Sequence, residues 1–380
     1  MRTLAIRLSL APILAASLAP GLFAADGPLA APKNSAWSAK AAADYLDQRL
    51  DWWSTWPVAA RDHDTFCVSC HTAAPYGLAR PVLSVALGEQ TVSAAEQKLL
   101  DNVTKRVRMW DQVAPFYPDR PDATRGVPKT SESRGTESVL NALILSAADA
   151  RRGSLNPDTR RAFEIMWKEQ LQTGDARGAW PWLEFHNKPW EGDSQYYGAA
   201  LAAIALAYAP DGLGYQSGPG NRDPLRLLRD YLVREQDRQV LIDRVMLLWA
   251  SARLLGVLTT AQKQSIIDEA LSEQRPDGAF SLSDFVGSWK RRDGTPLDSR
   301  SDGYATGLVT LALLESGVAP SDPRLARSLA WLRSNQQRSD GRWLAYSLNE
   351  QRDLDSYIGQ FMSDAATAYA VLALERGAQQ

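Results

Sequence analysis

The stretch SDGYATGLVTLALLESGV, residues 301–318, decides the fold, because a near copy, SDAATAYAVLALERG, recurs at residues 363–377. Looser relatives occupy residues 134–153, 193–210 and 243–257. Each of these segments is rich in small apolar residues and lacks a polar stripe, which is the pattern of a helix buried on most sides. Repeats of this kind indicate a fold that is built from one recurring unit.

More polar, amphipathic segments alternate with the apolar ones. They begin with Asn, Ser, Thr or Asp followed by Pro or an acidic residue, which are helix start signals. Strand signals are scarce, so the sequence predicts an all-α protein, an (α/α)6 toroid of six helical hairpins with the apolar helices inside. The polar helices are expected near residues 37–56, 93–111, 156–173, 222–237, 259–275 and 321–337, and the apolar helices near 73–88, 135–150, 194–208, 240–256, 302–316 and 363–376.

One turn between repeats carries a family resemblance. The segment RSLAWLRSNQQRSDGRW, residues 327–343, resembles the QW repeat of squalene–hopene cyclases and related terpenoid cyclases. The turns at residues 172–180 and 274–280 are partial matches. The positions that fit the repeat are Arg327, Trp331, Leu332, Gln336, Gly341 and Trp343.

The resemblance implies the α/α toroid that terpenoid cyclases share with protein prenyltransferases, and it carries no catalytic residues with it. The aspartate-rich acid motif of the protonating cyclases is absent, since the nearest string, residues 353–356, lacks its last carboxylates. The zinc ligands of the prenyltransferases cannot be assembled from a chain with two adjacent cysteines. Only the fold is therefore expected to be shared.

The N-terminus reads as a secretory signal. Residues 1–24 combine Arg2 and Arg7 with an apolar run and small residues before a cleavage point, so we expect a signal peptide, a disordered lead-in at residues 25–36 and the toroid at residues 37–380. The expected location is the periplasm, with no transmembrane segment after processing. Loss of Arg2 and Arg7 lowers the net charge from −2 to −4, which argues against nucleic-acid binding.

Cys67, Cys70 and His71 form the Cys-x-x-Cys-His pattern of c-type haem attachment, placed in the first hairpin, residues 37–125. Two thiols on one helical turn would meet the two vinyl groups of the haem, and His71 would ligate the iron. Covalent haem c is therefore the expected cofactor. A structural disulfide and a metal site are the alternatives for the same residues.

The other iron ligand and the cavity residues are less constrained by the sequence. Candidates for the distal ligand are Met109, His63 and His186, the last in the Trp-rich segment WPWLEFHNKPWEGD, which is placed to cover a cavity. The starts of the apolar helices place further polar groups near the expected cavity, and the aspartates among them also suit helix N-caps. These residues are Asp193, Tyr196, Tyr197, Asp302, Tyr304 and Asp364.

These patterns favour a periplasmic haem c oxidoreductase on a terpenoid-cyclase-like toroid. It would transfer electrons to a periplasmic redox partner or oxidise an apolar small molecule, with isoprenoids among the candidates. The alternative is a haem-free secreted toroid that binds a lipid-like ligand or cleaves polysaccharide, since helical barrels with Trp-lined clefts and paired carboxylates serve glycan chemistry.

Overall fold

The structure, a computed structural model, describes residues 37–119, 128–191, 195–210 and 222–380. The expected signal peptide and lead-in lie outside these residues. The described chain holds twelve α-helices and one short antiparallel hairpin, β1 (Ala60–Arg61) and β2 (Thr65–Phe66). No helix in this part of the chain is long and apolar enough to cross a membrane.

The helices alternate between polar and apolar in the order that the sequence predicts. The polar helices are α1 (Ala39–Thr55), α3 (Ala94–Arg108), α5 (Pro157–Glu169), α7 (Arg222–Glu235), α9 (Thr260–Ser272) and α11 (Pro323–Ser334). The apolar helices are α2 (Ala73–Ala86), α4 (Lys129–Ala150), α6 (Tyr196–Tyr208), α8 (Leu241–Ala250), α10 (Gly303–Glu315) and α12 (Phe361–Ala378).

The six apolar helices form a closed inner ring. Each contacts the next in the order α2, α4, α6, α8, α10 and α12, and α12 returns to contact α2. Each polar helix packs outside, against the apolar helix that precedes it, with α1 on α12. The predicted (α/α)6 toroid is therefore confirmed.

Small residues explain why the inner helices tolerate neighbours on several sides. Every residue of α10 from Gly303 to Leu314 is buried. A Cβ on Gly307 would lie 2.7 Å from the backbone nitrogen of Ala370, so α10 and α12 meet backbone to backbone. A polar stripe on such a helix would leave polar groups buried without partners, which is unfavourable.

Glutamine side chains join the outer helices to one another. Gln170, Gln274 and Gln336 each lie at or just beyond the end of an outer helix, and each donates to a backbone carbonyl at the start of the next one. The acceptors are Pro224 at 2.9 Å, Arg324 at 2.8 Å and Ser38 at 3.0 Å. The third contact joins α11 to α1 and so closes the outer ring.

The glycine of the QW-like turn is required by a close approach. Gly341 has φ +85°, and a Cβ there would lie 2.3 Å from the carbonyl oxygen of Ala41 in α1. Trp343 is buried after this turn and donates from Nε1 to the Leu332 carbonyl at 2.8 Å. In the first of the three turns the joining residue is Gln170, two residues before the glutamine that the sequence comparison aligned.

Candidate functional site

A cavity of about 270 Å³, hereafter the Glu191 cavity, lies where the end of α1 and the start of α12 meet the loop before α6. Its walls are mainly aromatic, and its polar groups converge from several loops. This combination is typical of a small-molecule site. The aromatic lining residues are Trp53, Trp56, Tyr117, Phe185, Trp190 and Phe361, and the polar ones include His71, Asn187, Glu191, Arg292, Asn349 and Arg352.

His71 is held between aromatic rings at this cavity. Its ring stacks on Phe361 with centroids 3.8 Å apart, and Trp53 meets it edge-on at 4.9 Å. Trp190 approaches from a third side at 5.5 Å. This packing fixes the plane of the imidazole.

A hydrogen-bond chain fixes the tautomer of His71. The Thr72 hydroxyl donates to Oδ2 of Asp364 at 2.6 Å, so its oxygen is left to accept from Nδ1–H of His71 at 2.8 Å. Nε2 is then the unprotonated nitrogen, and no described residue donates to it. Burial, with a smaller contribution from Arg49, lowers the pKa of His71 to about 3. His71 is therefore a neutral hydrogen-bond acceptor near pH 7.

Glu191 is positioned by a tight turn. Asn187 and Glu191 exchange backbone hydrogen bonds of 2.7 and 2.9 Å, and Asn187 Nδ2 donates to Glu191 Oε2 at 3.1 Å. Burial raises the pKa of Glu191 to about 7, against the lowering effect of the Asn187 hydrogen bond. The carboxyl therefore keeps its proton up to neutral pH, which suits a general acid.

Two arginines contribute positive charge to the cavity wall. Arg292 Nη2 lies 3.0 Å from Glu350 Oε1, and Arg352 Nη2 lies 2.8 Å from Glu350 Oε2. One carboxylate thus partners two guanidinium groups. Since Glu191 is neutral below pH 7, the wall carries a net positive charge that favours an anionic ligand.

The haem c expectation for Cys67 and Cys70 is wrong. Residues 67–69 are not helical and α2 begins only at Ala73, so the two cysteines do not share the helical turn that haem attachment needs. Both are free thiols in the core, 4% and 5% exposed, and burial raises the pKa of Cys67 to about 12. Neither lines the Glu191 cavity.

The proposed distal ligands do not meet His71 either. His63 and His186 lie on surface turns with side chains 44% and 64% exposed, and Met109 caps the C-terminus of α3. None of the three lines the cavity. Among the described residues no group of three or more His, Cys, Asp or Glu side chains could hold a metal ion. The expectations of bound iron, electron transfer and oxidoreductase activity depended on the haem, so they are wrong as well.

The predicted cavity residues have mostly structural surroundings. Tyr196 donates to the Leu232 carbonyl at 3.0 Å, and Tyr197 and Tyr304 are buried in the core. Asp302 caps α10, accepting from the backbone N–H of Ala305 at 2.9 Å. Asp193 lies outside the described residues.

Asp364 is also fully engaged. Arg49 binds both of its carboxylate oxygens, at 2.7 and 3.0 Å, and the Tyr45 hydroxyl donates to it at 2.8 Å. With the Thr72 bond, the carboxylate accepts four side-chain hydrogen bonds. Asp364 therefore positions Thr72 and His71 from behind the cavity wall.

The sequence indicated the right loop but the wrong residue in it. Residues 180–191 of the Trp-rich segment supply Phe185, Asn187, Trp190 and Glu191 to the cavity lining. His186 was predicted as an iron ligand, but its side chain is 64% exposed. The same segment holds a second described acid, Glu184, so its composition alone does not single out Glu191.

The described fold defines an α/α toroid of six hairpins, and solved toroids resemble it. No family model and no curated protein matches the chain. An unsaturated glucuronyl hydrolase from Bacillus sp. GL1, described as responsible for the degradation of glycosaminoglycan, is 11% identical, with 89% of this chain and 96% of that one covered and a TM-score of 0.54. A glycosyl hydrolase of family 88 from Bacteroides vulgatus is 12% identical over 90% and 100%, with a TM-score of 0.53.

An ent-copalyl diphosphate synthase from Streptomyces platensis matches at a TM-score of 0.44, with 16% identity over 80% of this chain and 50% of that one. At such identities a structural likeness shows the fold alone. The two glycosidase toroids, with TM-scores of 0.53 and 0.54, confirm the α/α toroid that the QW-like repeat implied. The chemistry has to be argued from the cavity.

Proposed function

We propose that the chain is a carbohydrate-active toroid that binds an anionic saccharide in the Glu191 cavity and hydrolyses a glycosidic bond there. The observation that carries the proposal is a carboxyl with a pKa near 7 inside an aromatic cavity whose wall is cationic. It replaces the haem oxidoreductase with the polysaccharide-cleaving form of the alternative.

The lining favours a saccharide over a lipid. Aromatic rings such as Trp53 and Trp190 offer flat apolar faces to the C–H face of a sugar ring. Asn187 and Asn349 add amide donors and acceptors, which hydroxyl groups use and a hydrocarbon chain does not. A lipid-like ligand would leave Asn349 Oδ1, which is buried without a hydrogen-bond partner, unpaired.

The arginines point to a negative charge on the ligand. Arg292 and Arg352 share Glu350, so each retains N–H donors that a carboxylate or sulfate group could accept. The guanidinium fork matches a planar carboxylate in two parallel bonds. A uronic acid or a sulfated sugar is the class of unit that fits.

Glu191 would act as the acid of the reaction. It donates its proton to the glycosidic oxygen while the bond from that oxygen to the anomeric carbon breaks. Water, oriented by a hydrogen bond to Nε2 of His71, attacks the anomeric carbon. The proton that the water loses restores the acid form of Glu191 through solvent. Glu191 is the sole carboxylic acid among the described residues that line the cavity, so no second carboxylate enters the scheme.

Other features are consistent with this function. The fold neighbours include glycoside hydrolases, and the signal-like N-terminus suits an enzyme that meets polysaccharide outside the cytoplasm. The likeness to terpenoid cyclases would then be one of outer-ring construction, since Gln336, Gly341 and Trp343 hold helices together and do not line the cavity.

The test is an activity screen with matched variants. Oligosaccharides that contain uronic or sulfated units are incubated with the protein, and new reducing ends are identified by mass spectrometry. We expect Glu191→Gln to lower the rate by about 100-fold or more, since general acids contribute ~10²–10⁴. Glu164→Gln, at an exposed acid of α5 outside the cavity lining, should keep wild-type activity.

Two results would contradict the proposal. One is equal activity of the wild type and Glu191→Gln on every substrate that is cleaved. The other is an absence of both binding and cleavage across the acidic saccharides.

A further inference from the structure

A second cavity, hereafter the Asp243 cavity, shares the Asn187–Glu191 turn with the first. Its volume is about 380 Å³, and its lining includes Lys188, Gln195, Tyr231, Glu235 and Asp243. Trp190 and Glu191 line the first cavity while Lys188 lines the second, so this one turn forms a wall of both. The Lys188 carbonyl also accepts from Asn349, which lines the first cavity, at 3.1 Å.

Asp243 is a buried carboxylate without hydrogen-bond donors. It lies in the first turn of α8 and is 3% exposed. No described residue donates a hydrogen bond to its side chain, and the nearest cation, Lys188 Nζ, is 3.9 Å away. Burying a carboxylate without donors is costly. Consistent with this, burial raises the pKa of Asp243 to about 6.

Glu235, another acid of the same cavity, is paired with cations, as a partly buried carboxylate usually is. Glu235 is bound by Arg234 at 2.8 Å and by Arg238 at 3.2 Å. Its charge is neutralised by its own neighbours, so it needs nothing from a ligand. Asp243 differs because its one partner is too distant to donate.

Asp243 and Lys188 together define what a ligand must supply. The ligand must donate a hydrogen bond to the Asp243 carboxylate and accept one from the Lys188 ammonium. The two side chains together carry no net charge. Neighbouring hydroxyl groups on a sugar ring do both, since each hydroxyl donates once and accepts twice. A charged unit would leave one member of the pair opposed by a like charge.

We propose that the Asp243 cavity is a subsite for a neutral, polyhydroxylated unit of the same saccharide whose anionic unit occupies the Glu191 cavity. This inference rests on the proposed function. It adds that the substrate is a mixed chain in which an anionic unit is joined to neutral sugars. Asp243 would then be a binding residue that determines the length and composition of the saccharide that the protein prefers.

The test is affinity as a function of chain length. Titration calorimetry is run on a series with one anionic sugar, alone or extended by one, two or three neutral hexose units. We expect Kd to fall at least tenfold once the chain reaches the Asp243 cavity. Asp243→Asn should remove this gain and leave the affinity for the single anionic sugar unchanged. Glu235→Gln, in the same lining, should keep most of the gain.

Lys188→Met provides a second variant in case Asp243→Asn folds poorly, and it should lose the same gain. A gain with length that survives both variants overturns the subsite, and so does the absence of any gain. If the single anionic sugar binds but length has no effect, the subsite fails and the proposed function stands. If neutral chains bind through Asp243 while the anionic sugar does not bind, the proposed function fails instead.

Discussion

Asp364 lies behind His71, to which Thr72 links it, whereas Glu191 lines the cavity itself, and the surroundings of the two acids differ sharply. Asp364 is 1% exposed and accepts four side-chain hydrogen bonds, two of them from Arg49. Among the hydrogen bonds found between described residues, Glu191 accepts one from a side chain, that of Asn187. The hydrogen-bonding capacity of the Asp364 side chain is thus fully used, while burial raises the pKa of Glu191 to about 7 and favours its neutral acid form.

Only one of the two acids is free to take part in a reaction. A carboxylate whose lone pairs are all occupied holds its neighbours in place but has nothing to exchange. An acid with few partners, facing a cavity, can release and recover a proton. Helix position alone, which drew attention to Asp364 in the sequence, does not separate the two roles.

Substituting these two acids should have its largest effect on stability. Asp364→Asn leaves the buried Arg49 guanidinium without its counter-charge, so the free energy of unfolding should fall by about 3–5 kcal/mol. At pH 5, where folded Glu191 is protonated, Glu191→Gln replaces a neutral acid with a neutral amide and should change the free energy of unfolding by less than about 1 kcal/mol. Urea denaturation of both variants checks this, and equal losses would remove the distinction.

Next in size is the pH dependence of activity. Burial raises the pKa of Glu191 to about 7, so the acid form is lost as the pH rises above that value. The rate on an anionic saccharide should fall about tenfold per pH unit above pH 7. A rate that stays flat to pH 9 would show that Glu191 is not the proton donor.

Stability should respond to pH in the opposite sense for two cavity residues. Between about pH 4.5 and 7 Glu191 keeps a proton in the folded state that it loses when unfolded, so its contribution to stability falls as the pH rises. His71, whose pKa is lowered to about 3, is neutral when folded, so its contribution falls as the pH drops below about 6.5.

Because these two slopes oppose each other in the wild type, the difference between the wild type and Glu191→Gln is the quantity to measure. The wild type should lose stability relative to Glu191→Gln as the pH rises from 4.5 to 7. Urea denaturation at several pH values provides the measurement. A parallel pH profile for the two proteins would argue against a raised pKa.

The smallest expected effect concerns the link between Asp364 and the cavity. Thr72→Val removes the hydroxyl that joins Asp364 to His71. The free energy of unfolding should fall by about 1 kcal/mol. His71 would then lose the bond that fixes its tautomer. The chemical shifts of its two ring nitrogens, recorded by NMR through their two-bond couplings to the ring protons, should change from the values of one tautomer to those of a mixture. An unchanged tautomer would show that Thr72 does not position His71.

The ring of helices could be predicted from the sequence because it depends on a repeated pattern. The apolar composition of segments such as residues 301–318 indicates that they are buried. Because the pattern occurs six times, an ambiguous copy can be assigned from the others. The bounds of ten helices agree with the prediction within four residues, whereas α4 begins six residues before its predicted start and α8 ends six residues before its predicted end. Asp302 is found as an N-cap where the sequence allowed one.

The site could not be predicted in the same way, because it depends on loops that meet only in three dimensions. Cys67, Cys70 and His71 match a short motif, yet the motif needs a helical turn that the chain does not form before Ala73. Glu191 acquires its raised pKa from burial by distant segments. Arg292 and Arg352 come from different loops, and neither has a local signal.

The central claim is that Glu191 holds its proton at neutral pH inside a cavity that a ligand can enter. The most direct measurement is the infrared difference spectrum between the wild type and Glu191→Gln, recorded as a function of pH. We expect a protonated carboxyl band at pH 5–6 that disappears with a midpoint near pH 7. A carboxylate band already present at pH 5, with no further change up to pH 9, would contradict it.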